Sequence, residues 1–254
     1  MTTLLFDGDL ITYRSAISCE VPTKWDDDIW TLHADAKIGI EKLKDEIFYF
    51  KNKLNADRII IALSSKTNFR KELTPTYKSN RKKIRKPIIY KHLLDWLQKT
   101  YECFQHEGLE GDDVMGILAT SGEIQGNVVL VSSDKDMRTI PANHIGLDVD
   151  DVVEKVSKKE ADYWFMMQTL TGDSTDGYSG CPKIGKVTAQ RILTDVKHDV
   201  NLMWEKVLET YKKAKLTEED ALLQSRLARI LRVDDWDKQN KKPILWSPTN
   251  AQEM

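Results

Sequence analysis

Long apolar stretches are missing from this 254-residue sequence, and no run is long enough to cross a bilayer, which excludes a helical membrane protein. The opening Met1-Thr2-Thr3-Leu4-Leu5-Phe6-Asp7 has neither the basic flank nor the apolar core of a secretory signal, so a cytoplasmic protein is expected. Cysteine is scarce and odd in number. Cys19, Cys103 and Cys181 are scattered, so each reads as a reduced, packed thiol, with no disulfide framework and no zinc-ligand spacing. The five histidines form no HxH or HxxxH pair, which leaves a histidine-based metal site with little support. Any metal held here would be a hard ion bound through oxygen. Net charge is also missing, since 38 basic residues against 40 acidic ones leave −2. Partners must therefore be read from where the charges sit.

What is present suits a folded globular chain, with 41% hydrophobic and 31% charged residues and enough length for a core. Thr2–Phe6 reads as a buried strand that stops at the acidic turn Asp7-Gly8-Asp9. Arg58–Leu63, Tyr101–Gln105 and Asn127–Ser132 supply three more strands. Helices are expected over Ala34–Leu54, Ile88–Thr100, Asp112–Thr120 and Ala221–Arg232, the last behind a Thr217-Glu218-Glu219-Asp220 cap. Strands alternating with helices predict an α/β fold with a mainly parallel central sheet flanked by helices. Strand signals fade near residue 160, which divides an α/β core over 1–160 from a helical part over 161–254 by a soft boundary. Trp25, Trp30, Tyr163 and Trp164 are expected to serve packing, and the tail around Trp236 and Trp246 to dock against the body.

The organising feature is that strands end in carboxylates. Asp7 and Asp9 follow the first, Glu110, Asp112 and Asp113 follow the third across a glycine-bounded turn, and Asp134 and Asp136 follow the fourth. A further pair, Asp173 and Asp176, lies in a Gly/Ser-rich loop. Taken singly, each group is an ordinary helix cap or turn former. Together they predict one crevice, because open parallel sheets bind ligands outside the carboxyl ends of their strands. So many acids cannot stay ionised together unless protons or cations compensate them. Oxygen-only ligands favour magnesium or manganese, and two such ions roughly 3.5–4 Å apart suit in-line attack on phosphorus.

Two other segments carry charge or glycine in a telling pattern. From Thr67 to Lys91 basic residues crowd the chain, and the Tyr77–Lys86 run is either a solvated loop or a phosphate clamp. As a clamp, Lys78, Arg81, Lys82 and Lys83 would neutralise phosphates while Tyr77 offered a face for base stacking. The stretch Gly180-Cys-Pro-Lys-Ile-Gly185-Lys186-Val187 is a near-miss of a nucleotide-binding loop. Val187 stands where a magnesium-holding hydroxyl is required and no strand leads in, so a nucleotide triphosphate site is rejected. A helical hairpin whose glycines let backbone amides approach a phosphate fits better.

The motifs Phe6-Asp7-Gly8-Asp9, Glu110-Gly-Asp112-Asp113, Ser-Asp134-Lys-Asp136 and Gly172-Asp173-Ser-Thr-Asp176 resemble those of the 5′-nuclease (flap endonuclease) superfamily. Trp25-Asp-Asp-Asp-Ile-Trp30, Tyr77-Lys78-Ser-Asn80-Arg81-Lys82 and Ala228-Arg-Ile-Leu-Arg232 are similar, more closely, to the 5′→3′ exonucleases of short-tailed coliphages. The resemblance implies a first metal site of Asp7, Glu110, Asp112 and Asp113, and a second of Asp134, Asp136, Asp173 and Asp176. It implies that Lys78 and Arg81 contact the scissile phosphate from an arch over about 67–91. It also implies a helix–two-turn–helix over about 165–195, in which Gly180, Lys183, Gly185 and Lys186 grip duplex DNA and a potassium ion can bind. The implied activity is magnesium-dependent hydrolysis at 5′ ends or flaps of duplex DNA by a monomer, with removal of RNA primers from hybrids, in phage replication or recombination. One departure stands out: Ser65 occupies the position where the family has an aspartate after the second strand. A PIN-type ribonuclease and a DNA-binding protein with weakened catalysis are the rivals.

Overall fold

In the computed structural model, which describes residues 1–248 apart from the side chains of Lys82 and Lys83, the expected strands and helices form with small shifts of boundary. The chain begins β1 (Thr2–Asp7), α1 (Gly8–Ile17), a hairpin of β2 (Val21–Asp26) and β3 (Ile29–His33), then α2 (Ala36–Lys53) and β4 (Arg58–Ala62). It continues through α3 (Arg70–Leu73), α4 (Tyr90–Thr100), β5 (Glu102–Phe104), α5 (Gly111–Thr120), β6 (Asn127–Val131), β7 (Asn143–Ile145) and β8 (Glu154–Lys155). The remainder is α6 (Lys158–Thr171), α7 (Lys186–Leu193), α8 (Val200–Lys213) and α9 (Glu218–Ala228), closed by the two-residue strands β9 (Trp236–Asp237) and β10 (Lys242–Pro243).

β1 lies at the centre of a six-stranded sheet of order β5-β4-β1-β6-β7-β8, parallel except where β8 joins β7. Its alternation puts Leu4 and Phe6 on one face and Leu5 on the other, and all three are wholly buried. The first face packs on α1, α2 and α4 through Leu43, Ile47, Phe50, Leu93 and Leu97. The second packs on α5 through Val114, Met115 and Leu118, joined by Ile230, Leu231 and Trp236 from the C-terminal stretch. A third core fills the space between α6, α8 and α9 around Phe165, Leu170, Trp204, Val207 and Tyr211. Capping boxes begin α6 (Ser157 with Glu160) and α9 (Thr217 with Asp220), the latter as the sequence pattern predicts.

The chain beyond α9 crosses the soft boundary near residue 160 and packs on the α/β layer through Ile230, Leu231 and Trp236. There Arg229 pairs with Asp235 at 2.8 Å, and Arg232 reaches Asp162 at 2.6 Å. Trp25 and Trp30 do not pack with Tyr163 and Trp164, which pair edge-on with each other at 5.7 Å. Both tryptophans lie on the β2–β3 hairpin, 70% and 59% exposed, because the hairpin pairs only with itself. Helix α9 stops at Ala228 rather than Arg232, since Arg229 turns extended to reach its buried acid. The tail does dock: Trp246 packs edge-on against Phe165 and Trp204, and Trp236 is buried against the sheet layer. No helix among the described residues is long and apolar enough to cross a membrane.

Gly116 marks where the C-terminal stretch meets α5, for a methyl group there would collide with the Leu231 carbonyl. Gly116→Ala is expected to destabilise by about 1–3 kcal/mol in urea unfolding. An unchanged midpoint would mean that the stretch is not held tightly against the helix.

Candidate active site

The chain runs from β1 outward through β4 to β5 and then crosses back to β6 on the other side, so strand order reverses between β1 and β6 and a crevice opens at their carboxyl ends. Asp7 ends β1 and caps α1, accepting from the Leu10 amide at 3.0 Å and the Ser132 hydroxyl at 3.1 Å. Asp134 caps the 3-10 turn Lys135–Thr139, accepting from the Asp136 amide at 2.8 Å. The Ser132 hydroxyl also accepts from the Asp134 amide, so one oxygen ties the two strand ends together. Capping and crevice are thus one geometry: a helix that starts at a strand end turns its cap carboxylate toward the gap. Asp7, Asp9, Glu110, Asp112 and Asp134 line the same cavity, with Lys78 and Arg81 opposite.

The acids differ in compensation. Burial raises the Asp7 carboxyl to about 7, with Asp9 and Asp134 adding repulsion that its hydrogen bonds only partly offset. Burial likewise pushes Asp112 well above the usual carboxylate range, and Asp7 and Asp134 push it further. Burial would raise Glu110 as well, yet Lys78 and Arg70 outweigh it and hold Glu110 at about 2. The Lys78 ammonium stands 2.5 Å from Glu110 and 3.4 Å from Asp176, bridging the two. Arg81 reaches the other oxygen of Asp176 at 2.6 Å, and the Tyr77 hydroxyl donates to Glu110 at 2.8 Å. Lys135 makes a second bridge, 3.0 Å from Asp136 and 2.6 Å from Asp173.

The chain around Tyr77–Asn80 is stitched to the loop carrying Asp173 and Asp176. The Lys78 amide donates to the Asp176 carbonyl at 2.7 Å, and the Asn80 amide side chain donates to the Thr175 carbonyl. Lys78 itself adopts a left-handed φ of 51°, an uncommon conformation for a lysine and one that this stitching holds.

Could these residues hold divalent ions? The donor set is oxygen alone, and Asp7, Asp112 and Asp134 share a cavity in which burial and mutual repulsion raise the Asp7 and Asp112 carboxyls. Among the described residues no three acids stand close enough to share one ion as placed. The Lys78 and Lys135 ammonium groups instead stand between carboxylates where an ion would bridge them. The chemistry fits a hard divalent cation, with two lysines acting as internal stand-ins.

Several expected site residues lie elsewhere. Asp113 is wholly buried and faces away from the crevice, because both its oxygens serve Arg70 at 2.7 and 2.8 Å and also the amides of Leu231 and Glu110. Its place is a buried ion pair and not a metal shell. Tyr77 is 2% exposed with its ring in the helical core, so it offers no stacking face. Ser65 lies outside the crevice, its amide bound to the Leu109 carbonyl and its hydroxyl beside Thr67. The crevice residue after β4 is Ser64, whose amide donates to Asp9 and whose hydroxyl accepts from the Gly111 amide. Asp9 therefore brings a carboxylate to the strand end that lacks its own, and Tyr90 holds its other oxygen at 2.8 Å.

Gly180 is buried, with a φ of 63° and its amide given to Gln224, so it serves close packing against Gly172 rather than a phosphate. Gly185 caps α7, and it, Lys183 and Lys186 are exposed outside the crevice lining. The Lys82 and Lys83 side chains lie outside the described residues. Sequence reasoning missed Ser132, Tyr90, Lys135 and Gln168, which donates to Asp136 at 2.5 Å. The position of Lys135 between Asp134 and Asp136 was the available signal.

Two outcomes test these assignments. Removing one partner of a buried ion pair leaves the other uncompensated, so Asp113→Ala is expected to lower urea stability by about 3–5 kcal/mol. Intact stability with lost metal binding would return Asp113 to the metal shell. The raised Asp7 carboxyl binds its proton more tightly folded than unfolded, so without metal the stability it contributes at low pH is lost as pH rises from about 4 toward about 7. Asp7→Asn is expected to outlast the parent in chelator by a margin that widens over that window. A margin that does not change with pH would show that Asp7 is not strained by its neighbours.

The model of the 5′–3′ exonuclease, N-terminal resolvase-like domain, matches residues 2–168. The exonuclease of Escherichia phage T7 is 31% identical, over 96% of this chain and 93% of its own length. The exodeoxyribonuclease of Enterobacteria phage T3 is 31% identical, over 96% and 92%. Among solved structures, the bacteriophage T5 D15 protein co-crystallised with metal ions shares the fold, with a TM-score of 0.63 at 15% identity over 90% of both chains. The same T5 flap endonuclease is also known in a complex with DNA and metal ions, at a TM-score of 0.62 and 15% identity over 90% of both chains. With a family match over the α/β core and relatives aligned along nearly the whole length, this chain belongs to the 5′–3′ exonuclease family.

Proposed function

We propose that this protein hydrolyses phosphodiesters at 5′ ends or flaps of duplex DNA, as a divalent-metal-dependent 5′→3′ exonuclease of phage replication or recombination. The observation that carries the reading is the shared cavity of Asp7, Asp112 and Asp134, where like charges meet and the nearby Lys78 only partly offsets the rise in Asp112. Asp7, Glu110, Asp112 and Asp134 would hold one ion, and Asp136, Asp173 and Asp176 a second. Bound magnesium or manganese would supply an activated water and neutralise charge at the scissile phosphate.

The chain's own residues do the remainder. Ser132 fixes the Asp7 and Asp134 carboxylates relative to each other, and Tyr90 and Ser64 fix Asp9 beside them. Lys78 and Arg81 face the same cavity, so a phosphate arriving there would meet two cations that can stabilise its developing charge. Lys183 and Lys186 at the start of α7 suit backbone contacts that position a duplex without reading its sequence. All these groups come from one chain, so a monomer suffices. An RNA strand paired to DNA presents the same phosphates, which makes primer removal a natural extension. The weakened-catalysis alternative looks for an aspartate after β4; the crevice residue there is a serine, Ser64, and Asp9 brings a carboxylate to that place.

The test uses 5′-labelled duplex, flap and single-stranded RNA, with magnesium or with chelator, beside an Asp134→Ala variant. Cleavage of the DNA substrates is expected only with metal, and Asp134→Ala should slow it by at least ~10²-fold, as loss of a preorganised electrostatic group does. DNA cleavage indifferent to both chelator and the substitution would sink the reading. Cutting confined to RNA would make the protein a ribonuclease.

A further inference from the structure

In the second carboxylate set, Asp136 and Asp173 are already paired with Lys135, the neighbour of Asp136 in the turn after β6. The Lys135 ammonium lies 2.6 Å from Asp173 and 3.0 Å from Asp136, joining the turn after β6 to the loop after α6. Each carboxylate presents the lysine an oxygen suited to a metal. In Asp173, Oδ1 is spent on the amides of Thr175 and Asp176, so Oδ2 is the oxygen left to meet a ligand, and Lys135 takes it. In Asp136, Lys135 shares Oδ1 with Gln168.

The asymmetry between the lysine and its acids suggests how it works. The Asp173 and Asp136 side chains are 10% and 16% exposed, whereas Lys135 is 72% exposed and reaches them from the solvent side. A flexible four-carbon stem lets the ammonium withdraw without moving backbone, unlike Lys78, which is 13% exposed and held in a left-handed conformation. While in place it satisfies two buried-facing carboxylates, and any divalent ion must displace it. In the early set Lys78 takes Glu110, whereas Asp7 and Asp112 face other acids and make no ion pair of their own.

We propose that Lys135 is a built-in counter-ion that competes with divalent metal for Asp136 and Asp173, and so weakens metal binding at the second set until it swings out. The proposal rests on the metal-dependent reading above and assigns that site an internal competitor. The second set would then take its ion only as Lys135 leaves. An incoming DNA phosphate gives the freed ammonium an alternative partner, so substrate would favour the second ion.

The test is Mn²⁺ binding to the intact chain without DNA, followed by the paramagnetic resonance of free ion, for the parent, Lys135→Met and Lys135→Arg. Lys135→Met is expected to tighten the weaker of two affinities about tenfold, the size expected when two solvent-exposed ion pairs no longer have to be broken. The stronger affinity should not move, and Lys135→Arg, which keeps the charge, should remain within about twofold of the parent. In an Asp173→Asn background the gain from Lys135→Met should shrink, as coupling through that carboxylate requires. A weaker affinity left unchanged or loosened by Lys135→Met overturns the proposal. Absence of Mn²⁺ binding in every variant would overturn the metal-dependent reading itself, a different failure with a different signature.

Discussion

Confinement of like charge at the carboxyl ends of β1 and β6 is the constraint on which the rest of the molecule depends. Asp7, Asp112 and Asp134 come from three elements and open into one cavity, where burial and mutual repulsion raise the Asp7 carboxyl to about 7. No isolated element would place them so. Each is held by a hydrogen bond or helix start that is favourable on its own: Asp7 caps α1, Asp134 caps a 3-10 turn, and Asp112 sits in the first turn of α5. Local stability therefore assembles a globally strained site. The strain is part of what draws a cation to it.

A second layer of structure keeps the strain from spreading. Arg70 lies beneath the site, bound to both oxygens of Asp113, 3.4 Å from Glu110, and donating to the carbonyls of Leu227 and Arg229. One buried guanidinium thus joins the arch base, α5 and the C-terminal stretch. Arg229 with Asp235 and Arg232 with Asp162 carry the same ionic layer toward α6. Such pairs contribute little as net stability but a great deal as position, since a single unpaired member is costly. The helical part is in this way fastened to the sheet, and Asp176 meets the crevice residues Lys78 and Arg81.

The sheet and most helices were legible in the sequence because hydrophobic period and caps are local signals; Leu4, Leu5 and Phe6 alone announce a strand buried on both faces. Convergence of Asp7, Glu110, Asp112 and Asp134 was legible for the same reason, as strand ends in a parallel sheet share an edge, whereas Asp173 lines a neighbouring hollow with Lys135. Side-chain direction was not. Asp112 and Asp113 are adjacent on a helix, about 100° apart, and only one can face the crevice. Which one is decided by Arg70, forty-odd residues away, a contact no spacing reveals. Ser64 and Ser65 differ by one residue at a strand end, where one step reverses the face. Tyr77 looked like a stacking residue because it begins a basic run, yet its ring is needed in the core between α6 and α8. The hairpin tryptophans misled in the opposite way, exposed where their size argued for burial.

The pairing of acids with lysines has a thermodynamic consequence for how substrate and metal act on each other. Lys78 and Arg81 share their donors between Asp176 and any phosphate that enters the cavity, and Asp176 would have to give up these partners to serve an ion. Glu110, kept near 2 by Lys78 and Arg70, is in the same position. Binding a phosphate draws the cations off and leaves carboxylates that need new compensation. Binding metal supplies that compensation and frees the cations for a phosphate. By linkage each ligand must tighten the other by the same factor. A basic arch that rests on the acids therefore does more than attract DNA: it makes the fully charged site an arrangement that neither ligand produces alone, and it keeps the acids quiet when no substrate is there to be cut.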